Sequence, residues 1–335
     1  METLPADLLL HIVAQLPYGD ALELRRTCRD ARLKLEEMAP ATVRDILVDA
    51  TYHTPAAVRD ATYHAPAPIC HRIFARVARL HLWVGDAMTP AVSALCAALP
   101  PTAVAMGKWI PQMEPYLATM QHVSLSFVTV DAAMATTLAR VPVLSLAHCI
   151  VTSPILNPSA QLDDVAGLAH CTGVRESLSM RQTLCGGNLA LQCRSVTMDR
   201  CYGVFPQFVR VENMDIALCT FCTGFTPSAT LRELTLSSNP FIRGFPLPDL
   251  HMVFPALQTL QVYAPVWEPH ISHLQHLESL TASTLLQCPL RLRDLPRLHT
   301  LTCNGPLALD LDDAVSKSVH TLTRRRFEDA EDTEL

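Results

Sequence analysis

From Met120 onward the apolar residues recur in a six-residue frame, Leu-x-x-Leu-x-Leu, with polar residues between them. The frame reads "MQHVSL" at 120, "VPVLSL" at 141, "RESLSM" at 175, "CRSVTM" at 193 and "VENMDI" at 211. It continues as "LRELTL" at 231, "LQTLQV" at 257, "LESLTA" at 277, "LHTLTC" at 298 and "VHTLTR" at 319. Successive central residues, from Val123 to Leu322, are 21, 34, 18, 18, 20, 26, 20, 21 and 21 residues apart. Weaker frames stand upstream at "VARLHL" (77) and "LPPTAV" (99). Alternate side chains of a strand share a face, so the fourth and sixth positions bury together and those between point outward. The first apolar residue closes the turn into the strand. One such unit cannot cover its apolar face alone, whereas stacked units form a continuous core beside a ladder of parallel strands. The 34-residue step from Leu144 to Leu178 is expected to hold a loop or an unrecognised repeat.

Five residues after the central position the chain must leave the strand, and a side chain that bonds to nearby backbone stabilises that turn. Asn239 stands there after "LRELTL"; Cys149, Cys201, Cys219 and Thr183 hold the place in other units. Cysteine is small, readily buried and a weak donor, which suits a packed turn. These residues resemble the leucine-rich-repeat family, in its cysteine-containing branch, over residues 77 to 325. The resemblance implies a horseshoe solenoid with its parallel sheet on the concave face. The connecting segments are rich in Pro, Ser and Thr and predict turns and short or 3₁₀ helices on the convex side. "TPAVSALCAAL" and "DAAMATTLARV" read as true helices.

The head, "LPADLLLHIVAQLPYGDALELRRTCRDARLKL", has a different period. Pro5 suits a first helical turn, Asp7 complements the positive helix end, and Leu8, Leu9, Ile12 and Leu16 form an apolar stripe. "PYGD" breaks that helix. Asp20 and Glu23 start a second one, with Leu24, Cys28, Ala31 and Leu35 on one side. Two helices this short are marginal alone and call for a partner. Leu4-Pro5, Asp7, Leu8-Leu9, Ile12, Leu16, Asp20, Leu24 and Cys28-Arg29 resemble the F-box over residues 2 to 38. The family commonly carries tryptophan where Ala31 stands. The resemblance implies docking of a Skp-type adaptor, and through it a cullin-RING ubiquitin ligase, with Leu4, Pro5, Leu8, Leu9, Ile12, Leu16 and Leu24 supplying the adaptor-facing or supporting apolar surface.

The chain is thus expected to be α/β: a helical F-box-like domain (2–40), a linker or cap (41–72), a repeat solenoid (73–325) and an acidic tail (326–335). "DATYHTP" at 49 and "DATYHAP" at 60 duplicate one heptapeptide inside the linker, the mark of a small tandem duplication. Target contacts are expected from outward strand positions such as Arg194, Ser195, Thr197, Arg232, Glu233 and Thr235.

Composition narrows the classes. Of 335 residues 49% are apolar and 17% charged, enough to bury a large core. The formal charge of −6, partly concentrated in "FEDAEDTEL", offers no basic field for nucleic acid. The richest apolar stretch, "ALCAALPPTAVAM", is interrupted by Pro100 and Pro101 and is too short to span a bilayer. Only 11 glycines stand against 25 prolines and no phosphate-binding loop is present. Twelve cysteines spread along a chain without an export signal read as reduced thiols of an intracellular protein.

Cys219 and Cys222 have metal-clip spacing, but zinc usually takes four ligands and no second clip follows. His270, His273 and His276 would share a face on a helix, yet no carboxylate accompanies them at a telling distance. Neither a metal nor any other cofactor is expected. Arg324, Arg325 and Arg326 read as a polar cap on the last repeat, and the final "TEL" fits a short carboxylate-binding pattern that chance often produces. The functional expectation is a non-catalytic receptor subunit. The alternatives are a repeat scaffold or decoy without adaptor binding, and a cysteine-dependent enzyme.

Overall fold

The computed structural model describes Ile12, Leu24 and residues 41–49, 74–83, 96–97, 101–186, 190–222, 225–237, 250–263, 270–283, 289–304 and 308–325. The chain divides into two compact units, Met1–Ser153 and Pro154–Leu335. Asn239, the DATYHxP tyrosines, Ala31, Arg326 and the acidic tail lie outside the described residues.

Unit one is built on five strands: β1 (Ala41–Asp49), β2 (Phe74–Trp83), β3 (Pro101–Met106), β4 (His122–Ser126) and β5 (Val143–Ala147). All neighbours pair in parallel, and Leu80, Val104, Val123 and Leu144 stand in one row. The segment expected as a linker or cap thus contributes β1, paired along its length with β2. The row also corrects the frame near residue 100. Val104 and Met106 take the fourth and sixth positions, so the unit reads "PTAVAM" from Pro101, two residues later than the sequence alone indicates.

Unit two carries nine further rungs: β6 (Ser159–Asp163), β7 (Ser177–Arg181), β8 (Ser195–Asp199), β9 (Asn213–Ala217), β10 (Glu233–Ser237), β11 (Thr259–Tyr263), β12 (Ser279–Ser283), β13 (Thr300–Asn304) and β14 (Thr321–Arg325). They too are all parallel and in step. One row runs Ala160, Leu178, Val196, Met214, Leu234, Leu260, Leu280, Leu301 and Leu322. The long step after Leu144 therefore contains a repeat, β6. A leucine search misses it because Ala160 fills the fourth position and the buried Asn157 the first. In β7 the exposed Arg175 occupies the first position of the frame and the preceding Val174 is buried in its stead.

The rows bury as the alternation demands: Leu178, Val196, Leu260, Leu280 and Leu301 are all at 1% exposure or less. Each such side chain taken from water contributes roughly 1.5–3 kcal/mol, so the ladder is held chiefly by these columns. Phe205, Phe225 and Phe254 extend the core behind the sheet through edge-to-face contacts 4.6 and 5.3 Å apart. Leu322 departs from the rule at 50% exposure, on the last described rung. Arg324 and Arg325 belong to that rung, in register with Cys303 and Asn304.

Every described rung from β4 to β9 ends on a residue in the left-handed region: Phe127, His148, Asp164, Gln182, Arg200 and Leu218, with φ between 48° and 58°. The cost that such backbone carries for a side-chain-bearing residue is offset by a bond across the ladder. The amides of Gln182 and Arg200 donate to the carbonyls of Asp199 and Ala217 at 2.9 Å. Helices are few. Ala132–Leu138, inside the expected helix, is capped by the Asp131 carboxylate accepting the Met134 amide at 2.9 Å. Pro111–Thr119 and Leu168–Cys171 are 3₁₀ turns, and Asp313–Ser318 is a helix that the sequence reading did not foresee. No helix among the described residues is long and apolar enough to cross a membrane.

Candidate functional site

At the edge where the strands of unit two begin, the residue two before each strand's second position is pinned to its neighbour through the backbone. The Glu212 amide donates to the Arg194 carbonyl at 2.9 Å, Arg232 to Glu212 at 2.7 Å and Gln258 to Arg232 at 2.8 Å. Their side chains therefore stack one per rung, about 4.8 Å apart. Read along the ladder, the row is Glu176, Arg194, Glu212, Arg232, Gln258, Glu278, His299 and His320, alternating in sign over its first four members. Arg194 Nε lies 3.2 Å from Glu212 Oε2.

Beside this row opens a groove of about 780 Å³, lined by Arg175, Glu176, Gln192, Arg194, Arg210, Glu212 and Thr230. Three guanidiniums and two carboxylates face it. Among the expected target-contact residues, Arg194 lines the groove and Arg232 continues its row. Ser195, Thr197, Glu233 and Thr235 stand on β8 and β10, alternating with the buried Val196, Met198, Leu234 and Leu236, so they share the open face of the sheet. Sequence reasoning missed Arg175, Arg210 and Glu212, which meet at the groove only once successive rungs are stacked. The alternation of sign at the frame's second position could have found Glu212, whereas Arg175 and Arg210 precede that position.

The open face itself is mostly hydroxyl and amide, with one charged cluster. Arg181 Nε lies 3.5 Å from Asp199 Oδ2. Burial first, and then the Asp199 carboxylate, hold the Asp215 carboxyl above the ordinary aspartate range.

The expected thiol turns are present. Cys219 Sγ donates to the carbonyls of Ala217 (3.2 Å) and Met198 (3.4 Å), and Cys149 likewise to Ala147 (3.2 Å) and Leu125 (3.5 Å). Thr183 uses its hydroxyl on the Arg181 carbonyl at 2.7 Å. Cys201 lies between Cys185 and Cys219. Hydrogen bonds from those two thiols lower Cys201, and the same bonds together with burial raise the other two. All three are buried, at 1% exposure or less. Cys222 is exposed and its thiol meets the Gly203 carbonyl at 3.1 Å.

No group of three metal-ligating side chains occurs among the described residues. The histidine trio does not share a helix. His270 lies in the strand His270–Ser272, and His273 follows in left-handed backbone with Nδ1 2.8 Å from Asp294 Oδ2.

At the head, Ile12 and Leu24 are helical and half-buried; Leu4, Pro5, Leu8, Leu9 and Leu16 lie outside the described residues. A comparison with protein-family models decides what this segment is. Residues 1–35 match the F-box domain. The F-box match covers the head alone, and the rungs of both units lie beyond it. No curated protein matches the chain. F-box domains typically bind Skp-type adaptors.

Proposed function

We propose that this protein is a non-catalytic substrate receptor of a cullin-RING ubiquitin ligase. Its F-box docks a Skp-type adaptor through Leu4, Pro5, Leu8, Leu9, Ile12, Leu16 and Leu24. Its ladder, read as leucine-rich repeats, holds the target protein by the open face and the groove, where Arg194, Ser195, Thr197, Arg232, Glu233 and Thr235 stand. What it adds to ubiquitin transfer is proximity: target and transfer machinery are held together, and the bond is made by other subunits. The reading implies an intracellular protein.

The observation that carries the proposal is the F-box match at residues 1–35 ahead of a ladder whose outward positions are polar and unspent on folding. The test is co-purification with a Skp-type adaptor. Leu8→Asp together with Leu9→Asp abolishes capture, and unchanged capture sinks the proposal. A wild-type chain that never captures an adaptor leaves the scaffold or decoy reading, to which Ala31 at the family's tryptophan position points.

A further inference from the structure

The groove in unit two is charged unevenly. Arg194 is engaged by Glu212 at 3.2 Å, which neutralises one of its three guanidiniums. Arg175 and Arg210, both exposed, have no carboxylate partner among the described residues and line the same groove. Glu176 is the remaining free anion, so the groove keeps a net positive charge inside a chain whose total is −6.

Spacing adds a second constraint. Arg175 stands two residues before β7 and Arg210 three residues before β9, two rungs on, and two strand spacings amount to about 10 Å. Two carboxylates on one face of a β-strand are about 6.6 or 13 Å apart. In a polyproline II segment, residues three apart share a face at about 9.3 Å. Arginine favours such partners, because its planar fork takes a carboxylate through two parallel hydrogen bonds.

We propose that the groove binds an extended acidic segment of the target protein, in polyproline II form, with Asp or Glu three residues apart seated on Arg175 and Arg210. This rests on the reading of the ladder as the target-holding surface and deepens it. Arg194 is held back by Glu212 and acts as a reserve cation between the two seats.

The test uses the full chain and a fluorescein-labelled peptide, Pro-Glu-Pro-Pro-Glu-Pro, read by fluorescence anisotropy in 50 mM salt. Lysine in place of both glutamates, and glutamates spaced two or seven residues apart, serve as controls. The expected result is binding at least tenfold tighter for the Glu-x-x-Glu peptide than for the lysine peptide and severalfold tighter than for the other spacings. Arg175→Gln with Arg210→Gln lowers affinity at least tenfold, and Glu212→Gln, which releases Arg194, raises it. All three positions are on the surface edge, so the variants fold. Equal binding of acidic and basic peptides, no binding, or indifference to the arginine changes overturns the proposal. Binding that appears only when Glu328, Glu331 and Glu334 are changed to glutamine assigns the groove to the chain's own tail and overturns it equally. Adaptor capture measured on the same preparations separates the two readings: a chain that captures adaptor and ignores the peptides loses this inference alone.

Discussion

The thiol of Cys219 donates to the main-chain carbonyl of Met198 at 3.4 Å, one rung back along the ladder. A side chain leaving one strand thereby closes the backbone of the strand before it. Cys219 is fully buried, so its removal takes this donor from the Met198 carbonyl, while the Ala217 carbonyl keeps the Arg200 amide at 2.9 Å. An unsatisfied buried acceptor costs about 1–3 kcal/mol, and a thiol, being a weak donor, belongs at the low end. Cys219→Ala is expected to lower stability in urea by about 1–2 kcal/mol. Cys219→Ser keeps a donor and is expected to recover part of that loss.

Gly203 has φ +108°, and a Cβ built on it would lie 2.4 Å from the Cys185 carbonyl oxygen. The obstacle is backbone of the neighbouring rung and cannot swing aside. Gly203→Ala is therefore expected to cost at least about 2 kcal/mol from backbone strain and contact together. Thermal unfolding followed by circular dichroism measures it, and a melting temperature equal to wild type counts against the described turn.

Asp312 caps the helix Asp313–Ser318. Its Oδ1 accepts the Val315 amide at 2.7 Å and its Oδ2 the Asp294 amide at 2.7 Å. Those two backbone donors, Val315 first, hold the carboxyl below the ordinary aspartate value of 3.8. A folded-state value depressed in this way adds stability above the unfolded value and loses it as pH falls through the folded one. Asp312→Ala is expected to cost about 1 kcal/mol at pH 7, with the gap to wild type closing in acid below pH 3.8. Urea titrations at the two pH values give the difference; a gap that persists in acid contradicts the cap.

Burial pushes the thiols of Cys96, Cys171 and Cys193 up to about 12. Cys222 alone among the described cysteines is exposed. With limiting maleimide at pH 7 Cys222 is expected to label first among the described cysteines, with Cys96, Cys171 and Cys193 at least a hundredfold slower. Peptide mapping by mass spectrometry reads the order. Fast labelling at Cys201 would revive a cysteine-dependent enzyme.

The rungs were legible wherever leucine, valine or methionine filled the fourth and sixth positions, since that alternation has one physical solution. They were hidden at Ala160, where a small residue does the same packing, and displaced by two at Val104, where Leu99 offered a false start. The thiol turns followed from residue size and donor chemistry alone. The groove did not, because Arg175 and Arg210 become neighbours only after successive strands lie side by side, and their separation in sequence carries no sign of it.

The left-handed exits have a consequence for how such a chain tolerates change. Phe, His, Asp, Gln, Arg and Leu all serve there, so the turn is specified by a main-chain bond and accepts side chains of very different kinds. Central residues stand 18 apart between Leu178 and Val196 and 26 apart between Leu234 and Leu260, yet each pair meets in the same register. Extra length is absorbed outside the strands, whereas one added residue inside a strand would turn its apolar side to water. Each unit thus keeps fixed graduations and adjustable margins: its connecting segments can lengthen or change while the rungs stay where they are.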